Sequence, residues 1–314
     1  MCNNPPAMRI TLVMLLLTCA VFAQTQPAAP TPPPANPQIK QAQQLSREGK
    51  QDEALAILKP MLAADPKNYE ANLNAGIVLD LKGDYTQARR YLKQALEVAP
   101  ADRQIQVWRT TAVSYAFTCD LPHVLDNERQ AYEAQLSAAK PADAAATANE
   151  LGRIYLECGD INNASQWYQT GYTTARRDTK LSDADHDLWE FRYQSAKARI
   201  AARKGNKLEA DEDLKFAKAT LDQGKLPADQ QRFYPYLAGY VALYTGDYKT
   251  AIAQLQQADQ KDPFVLALLA QAYEKSGNKD EATKLYRQIL TINTHNPTNA
   301  FARPLARKKL GLAS

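Results

Sequence analysis

Gly49, Ala54 and Pro66 recur as Gly83, Ala88 and Pro100, each 34 positions further on. A fixed period of that length marks stacked helical hairpins, in which each unit buries its apolar face against its neighbours. The usual link between chain length and domain number then fails, so the 314 residues count repeats rather than globular domains. Such an array presents one long inner face, and that geometry suits the holding of another molecule.

The run 10–23 is apolar except for Thr11, Thr18 and Cys19, follows Arg9, and ends in Val21-Phe22-Ala23 before Gln24. It is shorter than the roughly 20 residues a helix needs to cross a bilayer, but it suits the apolar core of a secretory leader. The expectation is a signal peptide over 1–23 and an exported chain, periplasmic or secreted. Met8 opens a more typical leader than Met1 does, which makes 1–7 an upstream extension. A competing reading takes Leu16-Leu17-Thr18-Cys19 as a lipid-attachment signal that anchors the chain to the envelope through Cys19. Thr18 fits that box poorly, because Gly, Ala or Ser is wanted before the cysteine. Residues 24–37, QTQPAAPTPPPANP, lack backbone donors and bulky apolar groups and read as an extended, disordered linker.

With 38 Lys and Arg against 34 Asp and Glu the formal charge is +4, and loss of Arg9 with the leader lowers it by one, to +3. That is too mild to argue for nucleic acid or an anionic membrane. Cys2 and Cys19 leave with the leader, so the mature chain keeps Cys119 and Cys158. An oxidising compartment permits a bridge between them, and both fall where the two helices of adjacent hairpins meet. Neighbouring hairpins, however, stand about 8–10 Å apart, whereas a bridge needs Cα atoms within about 7 Å. Separate buried thiols are therefore expected, with a Cys119–Cys158 disulfide as the alternative.

From Ile39 onward, apolar residues follow a helical period broken by Gly-Asp, Gly-Lys and Gly-Asn turns. The clearest unit runs Gly76, Leu79, Gly83-Asp84-Tyr85, Ala88, Leu92, Ala95, Pro100, and Ala42, Leu45, Gly49, Ala54, Leu58 and Pro66 precede it in the same places. Trp108, Ala112, Tyr115 and Cys119-Asp120 open a third unit, whose second helix departs from the pattern at Pro122 and Val124. Gly152, Tyr155, Gly159-Asp160, Ala164, Tyr168 and Gly171 form a fourth. Three more follow around Gly205-Asn206, Gly246-Asp247 and Gly277-Asn278. These units resemble tetratricopeptide repeats. The resemblance implies an all-α, right-handed superhelical solenoid of about seven repeats over 38–298, with 299–314 as a capping helix. Turn spacing holds at 34 only once, stretches to 46 between Gly159 and Gly205, and falls to 31 by Gly277. The stretched middle is expected to carry longer hairpins or loops at 140–143, 176–187 and 224–231.

The same resemblance implies that the first helix of each pair lines the concave groove. On that face stand Arg109 in unit three, Asn149 and Arg153 in unit four, and Arg192, Ser195, Arg199 and Arg203 in unit five. Unit six adds Phe233, Tyr236, Tyr240 and Tyr244. A basic stretch beside an aromatic one suits a protein or peptide with an acidic group next to aromatic or apolar side chains. The carboxylate clamp known in this family is disfavoured: Ile39, Gln43, Gln106 and Thr110 stand where it wants Lys, Asn, Lys and Arg, and only Asn74 matches.

No nucleophile elbow, phosphate loop or dinucleotide fingerprint occurs. His123, His186 and His295 are far apart in a fold where distant repeats are not expected to meet. Asp183, Asp185 and Asp187, like the acidic run 211–213, lack the Gly and terminal Glu of a calcium loop and read as solvated. No enzyme, cofactor or metal site is expected. The reading is an exported scaffold that binds protein or peptide through its groove. Its alternative is an accessory subunit for polysaccharide or peptidoglycan, with Tyr236, Tyr240 and Tyr244 stacking on sugar rings.

Overall fold

The computed structural model describes residues 36–312. The leader, the Cys19 anchor, the choice between Met1 and Met8 and nearly all of the linker lie outside the described residues. Only the last two linker residues are described: Asn36 caps the first helix and Pro37 begins it.

Seven helical hairpins follow in order. They are α1 (Pro37–Arg47) with α2 (Gln51–Ala64), α3 (Tyr69–Lys82) with α4 (Tyr85–Val98), and α5 (Gln104–Ala116) with α6 (Leu121–Ser137). Next come α7 (Pro141–Glu157) with α8 (Ile161–Arg176), and α9 (Asp183–Arg203) with α10 (Lys207–Asp222). Then stand α11 (Phe233–Tyr244) with α12 (Tyr248–Leu255), and α13 (Pro263–Lys275) with α14 (Lys279–Ile289). A last helix, α15 (Pro297–Lys309), ends the array. No strand occurs among the described residues, and none of their helices is long and apolar enough to cross a membrane.

Five of the seven hairpins share the same local chemistry. In the second, Gly83 takes φ +93°, its N–H bonds back to Asp80 O at 3.0 Å, and the N–H of Asp84 reaches Leu79 O at 2.9 Å. This left-handed stop uses up carbonyls that the end of α3 leaves open. Asp84 then accepts from the N–H of Gln87 and starts α4 as its N-cap. Asp160, Asn206, Asp247 and Asn278 cap their helices in the same way.

Hairpins close up where a small residue faces a large one. A Cβ added to Gly76 would stand 2.6 Å from Leu92 Cγ, and one on Gly239 would stand 2.5 Å from Leu255 Cγ. Leu92 and Leu255 are themselves fully buried, so the helices approach as near as the missing methyl allows.

Two expectations are corrected. Cys119 and Cys158 are joined by a disulfide, with Cα atoms 5.6 Å apart. The spacing of helix axes was the wrong measure, because neither residue sits in the body of a helix. Cys119 occupies the left-handed turn position at φ +51° and Cys158 is the C-cap of α7, so the two turns lean together across the step between hairpins.

Distant repeats also meet. Helix α15 packs on α13 and α14 but reaches α5 and α7 as well. His295 Nε2 lies 2.8 Å from Asp80 Oδ2, and Gln51 Nε2 donates to Asn293 Oδ1 at 3.3 Å. Asp80 has no exposed surface and also accepts from Ser114 Oγ at 2.8 Å. The segment after α14 therefore crosses to the first three hairpins, and the array closes on itself.

Candidate functional site

The first helices of hairpins four, five and six bring three side-chain stripes together. Residues four apart share one helix face. Asn149 and Arg153 on α7, Arg199 and Arg203 on α9, and Tyr236, Tyr240 and Tyr244 on α11 thus project toward a common interior. Asn149, Arg153, Arg192, Ser195, Arg199 and Tyr236 line one cavity of about 380 Å³, with Phe191, Phe233 and Leu237 as its apolar walls. Phe233 stands at its mouth, 51% exposed.

Below the cavity lies a buried polar network. Arg203 Nη1 donates to Glu157 Oε2 at 3.1 Å and to Tyr240 Oη at 3.3 Å, and its guanidinium lies 4.8 Å from the Tyr244 ring centre. Burial pushes the Glu157 carboxyl up, opposed by Arg203, Arg153 and Arg199. Burial also raises the Tyr244 hydroxyl to about 12, as it does that of Tyr168.

The two arginines at the cavity wall are placed differently. Arg199 Nε donates to Ser195 O at 3.3 Å and Nη1 to Tyr236 Oη at 3.4 Å, with the Tyr168 ring 5.3 Å away. Burial opposes its charge most, yet the surrounding tyrosines and Glu157 raise its pKa overall. Arg153 faces the rings of Phe264 at 5.2 Å, Tyr236 at 5.8 Å and Phe301 at 6.0 Å, and its buried Nε has no hydrogen-bond partner. Among the described residues, no carboxylate stands within ion-pair distance of Arg153 or Arg199, whereas Glu157 pairs with Arg203. Glu157 thus acts electrostatically on three arginines but pairs directly with Arg203, in surroundings that are largely aromatic.

Not every expected groove residue belongs here. Arg109 lines a separate cavity of about 570 Å³ and pairs with Glu150 at 2.9 Å. Beneath that pair lies Glu128, fully buried, with both carboxylate oxygens unpartnered; burial holds its pKa well above the usual range. Tyr240 has no exposed surface, so it cannot stack on a sugar. The α11 stripe meets the arginine stripe of α9 edge to edge, which seals its middle member inside. His123 pairs with Asp120 at 2.9 Å and stacks on Tyr115, while His295 is engaged by Asp80. No group of three or more His, Cys, Asp or Glu among the described residues could hold a metal ion.

Sequence reasoning missed Glu157, Phe264 and Phe301. Glu157 was within reach of it, being four residues after Arg153 on the same face. Phe301 comes from α15 and leaves no local signal.

Hairpins of this construction, stacked around an inner face that carries the polar site, define a helical-repeat scaffold. The family model described as Tetratricopeptide repeat matches residues 45–108 and 242–299, and a second of the same description matches 145–177. The chain is a tetratricopeptide-repeat protein. It is similar to the crystal structure of a tetratricopeptide repeat protein from Parabacteroides merdae, with 12% identity, 85% of this chain and 97% of that one covered, and a TM-score of 0.51. It is also similar to the apo form of RapI, with 13% identity, 87% and 97% covered, and a TM-score of 0.54. Likeness at that identity shows the fold alone. No curated protein matches the chain in sequence.

Proposed function

We propose that the protein is an exported scaffold that holds a protein or peptide segment in the inner face of hairpins four to six, within the cell envelope. The observation that carries the reading is the cavity whose two arginines have no directly paired carboxylate among the described residues, with an exposed aromatic at its mouth. Proteins of this family are generally scaffolds rather than catalysts, and binding of proteins or peptides is their typical work. The chain's own C-terminal segment touches the first three hairpins and, through Phe301, the Arg153 wall of the cavity. Export is supported by the leader at 1–23 and by the bridge between the two cysteines that remain, since disulfides persist in oxidising compartments. The glycan alternative loses its central platform with Tyr240 buried.

The test places a photo-crosslinking residue at Phe233, at the cavity mouth, or at Phe216, 62% exposed on α10. In intact envelopes, Phe233 should yield a discrete protein adduct that Phe216 does not. Equal labelling from both positions, or none from Phe233, would sink the scaffold reading.

A further inference from the structure

We infer that the cavity between α7, α9 and α11 is a binding site for a single carboxylate carried on an aromatic or branched aliphatic group. The inference rests on the scaffold reading and names the chemistry of the segment that would be held.

The electrostatics come first. A buried charge is costly unless it is paired and hydrogen-bonded. Arg203 meets that condition directly through Glu157, whereas Arg153 and Arg199 feel that carboxylate only beyond ion-pair distance, and their close neighbours are aromatic rings, one phenol and one backbone carbonyl. Arg153 Nε is buried and unpartnered at the wall of an open cavity. A guanidinium presents its donors as a planar fork, and a carboxylate is the planar acceptor that matches it with two parallel bonds. One carboxylate between the two arginines would give both of them the direct partner that Glu157 gives to Arg203.

The walls choose what carries that carboxylate. Phe191, Phe233 and Leu237 add apolar groups to the lining of the same cavity. A free, strongly hydrated anion would leave those groups unused. An anion attached to an apolar group satisfies both kinds of lining at once. The volume of about 380 Å³ sits at the lower end of small-ligand pockets, which run from roughly 300 to 1,000 Å³. It has room for one acidic residue with an apolar neighbour, or for a small aryl acid, but not for a folded element. Those two sources share the same chemistry, and the experiment separates them.

Calorimetry on the full chain would compare N-acetyl-phenylalanine with its amide, inorganic phosphate, and end-blocked hexapeptides centred on Phe-Glu or Phe-Gln. The acid should bind about tenfold or more tightly than the amide, which corresponds to one charge-assisted bond lost, and phosphate should bind more weakly than the acid. If the Phe-Glu peptide outcompetes the acid while Phe-Gln does not, the source is an acidic side chain within a segment. If the acid binds and neither peptide does, the source is a small molecule and the scaffold reading falls while the carboxylate site stands. Because Arg153→Gln and Arg199→Gln alter a buried network and risk misfolding, Phe233→Ala serves as the second variant. It should weaken the acid several-fold with an unchanged melting curve. Equal affinity for acid and amide, phosphate binding as tight as the acid, or no heat from the acid and the Phe-Glu peptide overturns the carboxylate site. Persistence of the Phe233 adduct in that event would leave the scaffold reading intact.

Discussion

Cys119 carries two constraints that its counterparts in the other hairpins do not share. The turns of the remaining six place Gly49, Gly83, Gly159, Gly205, Gly246 and Gly277 at positive φ, and Cys119 alone takes that role with a side chain, at φ +51°. A residue with a Cβ pays roughly 1 kcal/mol for this conformation, while a native bridge contributes about 2–4 kcal/mol. The two effects can be separated by redox state. In reductant, Cys119→Gly should be more stable to urea than the wild type by about 1 kcal/mol, and under oxidising conditions, where the lost bridge outweighs that relief, it should be less stable by about 1–3 kcal/mol. Equal stability in reductant would mean that the turn carries no strain at that residue. The placement of Cys119 at a turn was legible, because Cys119-Asp120 stands where other units have Gly-Asp. Its pairing was not, since helix-axis spacing says nothing about how far two turns lean toward each other.

At the scale of the element, the hairpins depend on helices that touch through missing side chains. Gly239 faces Leu255, whose Cγ and Cδ2 would lie 2.5 and 2.9 Å from an added Cβ. In an unpacked helix, Gly→Ala gains roughly 0.5–1 kcal/mol from reduced backbone entropy. Here the added methyl meets a fully buried leucine, and overpacking costs about 1–3 kcal/mol. Gly239→Ala should therefore lower the urea midpoint, and a rise in that midpoint would refute the close approach. Such pairings were legible in the sequence, because a small residue and a large one recur at fixed offsets. The arginine and tyrosine stripes were equally legible from spacing by four. Which member of a stripe reaches the cavity was not: Tyr236 lines it and Tyr240 is sealed beneath, a difference set by how α9 and α11 meet. Arg109 shares the periodicity of the groove residues yet pairs with Glu150 in another cavity.

Across the whole molecule, closure distinguishes this array from an open stack. In an open solenoid each repeat feels only its neighbours, and stability is close to a sum along the chain. Here Asp80 and His295, 215 positions apart, share a buried contact, and Phe301 from α15 faces Arg153 in the fourth hairpin. Truncation before Asn293, which removes His295 together with α15, should therefore speed amide hydrogen exchange in α3 and α5 as well as in α13 and α14, because buried groups at both ends lose partners. Faster exchange confined to the last hairpin would show that closure contributes nothing to the first ones. No repeat signal announces this contact: it joins residues that belong to different units and to no common period.

Closure also bears on how the array can change its length. An open stack gains or loses a hairpin with little consequence, since every junction resembles the next. In this protein an extra hairpin would shift His295 by one step of about 8–10 Å relative to Asp80, and both partners would be left buried and unmatched. The number of units is thereby set by the meeting of the two ends, as the circumference of a ring is set by its clasp.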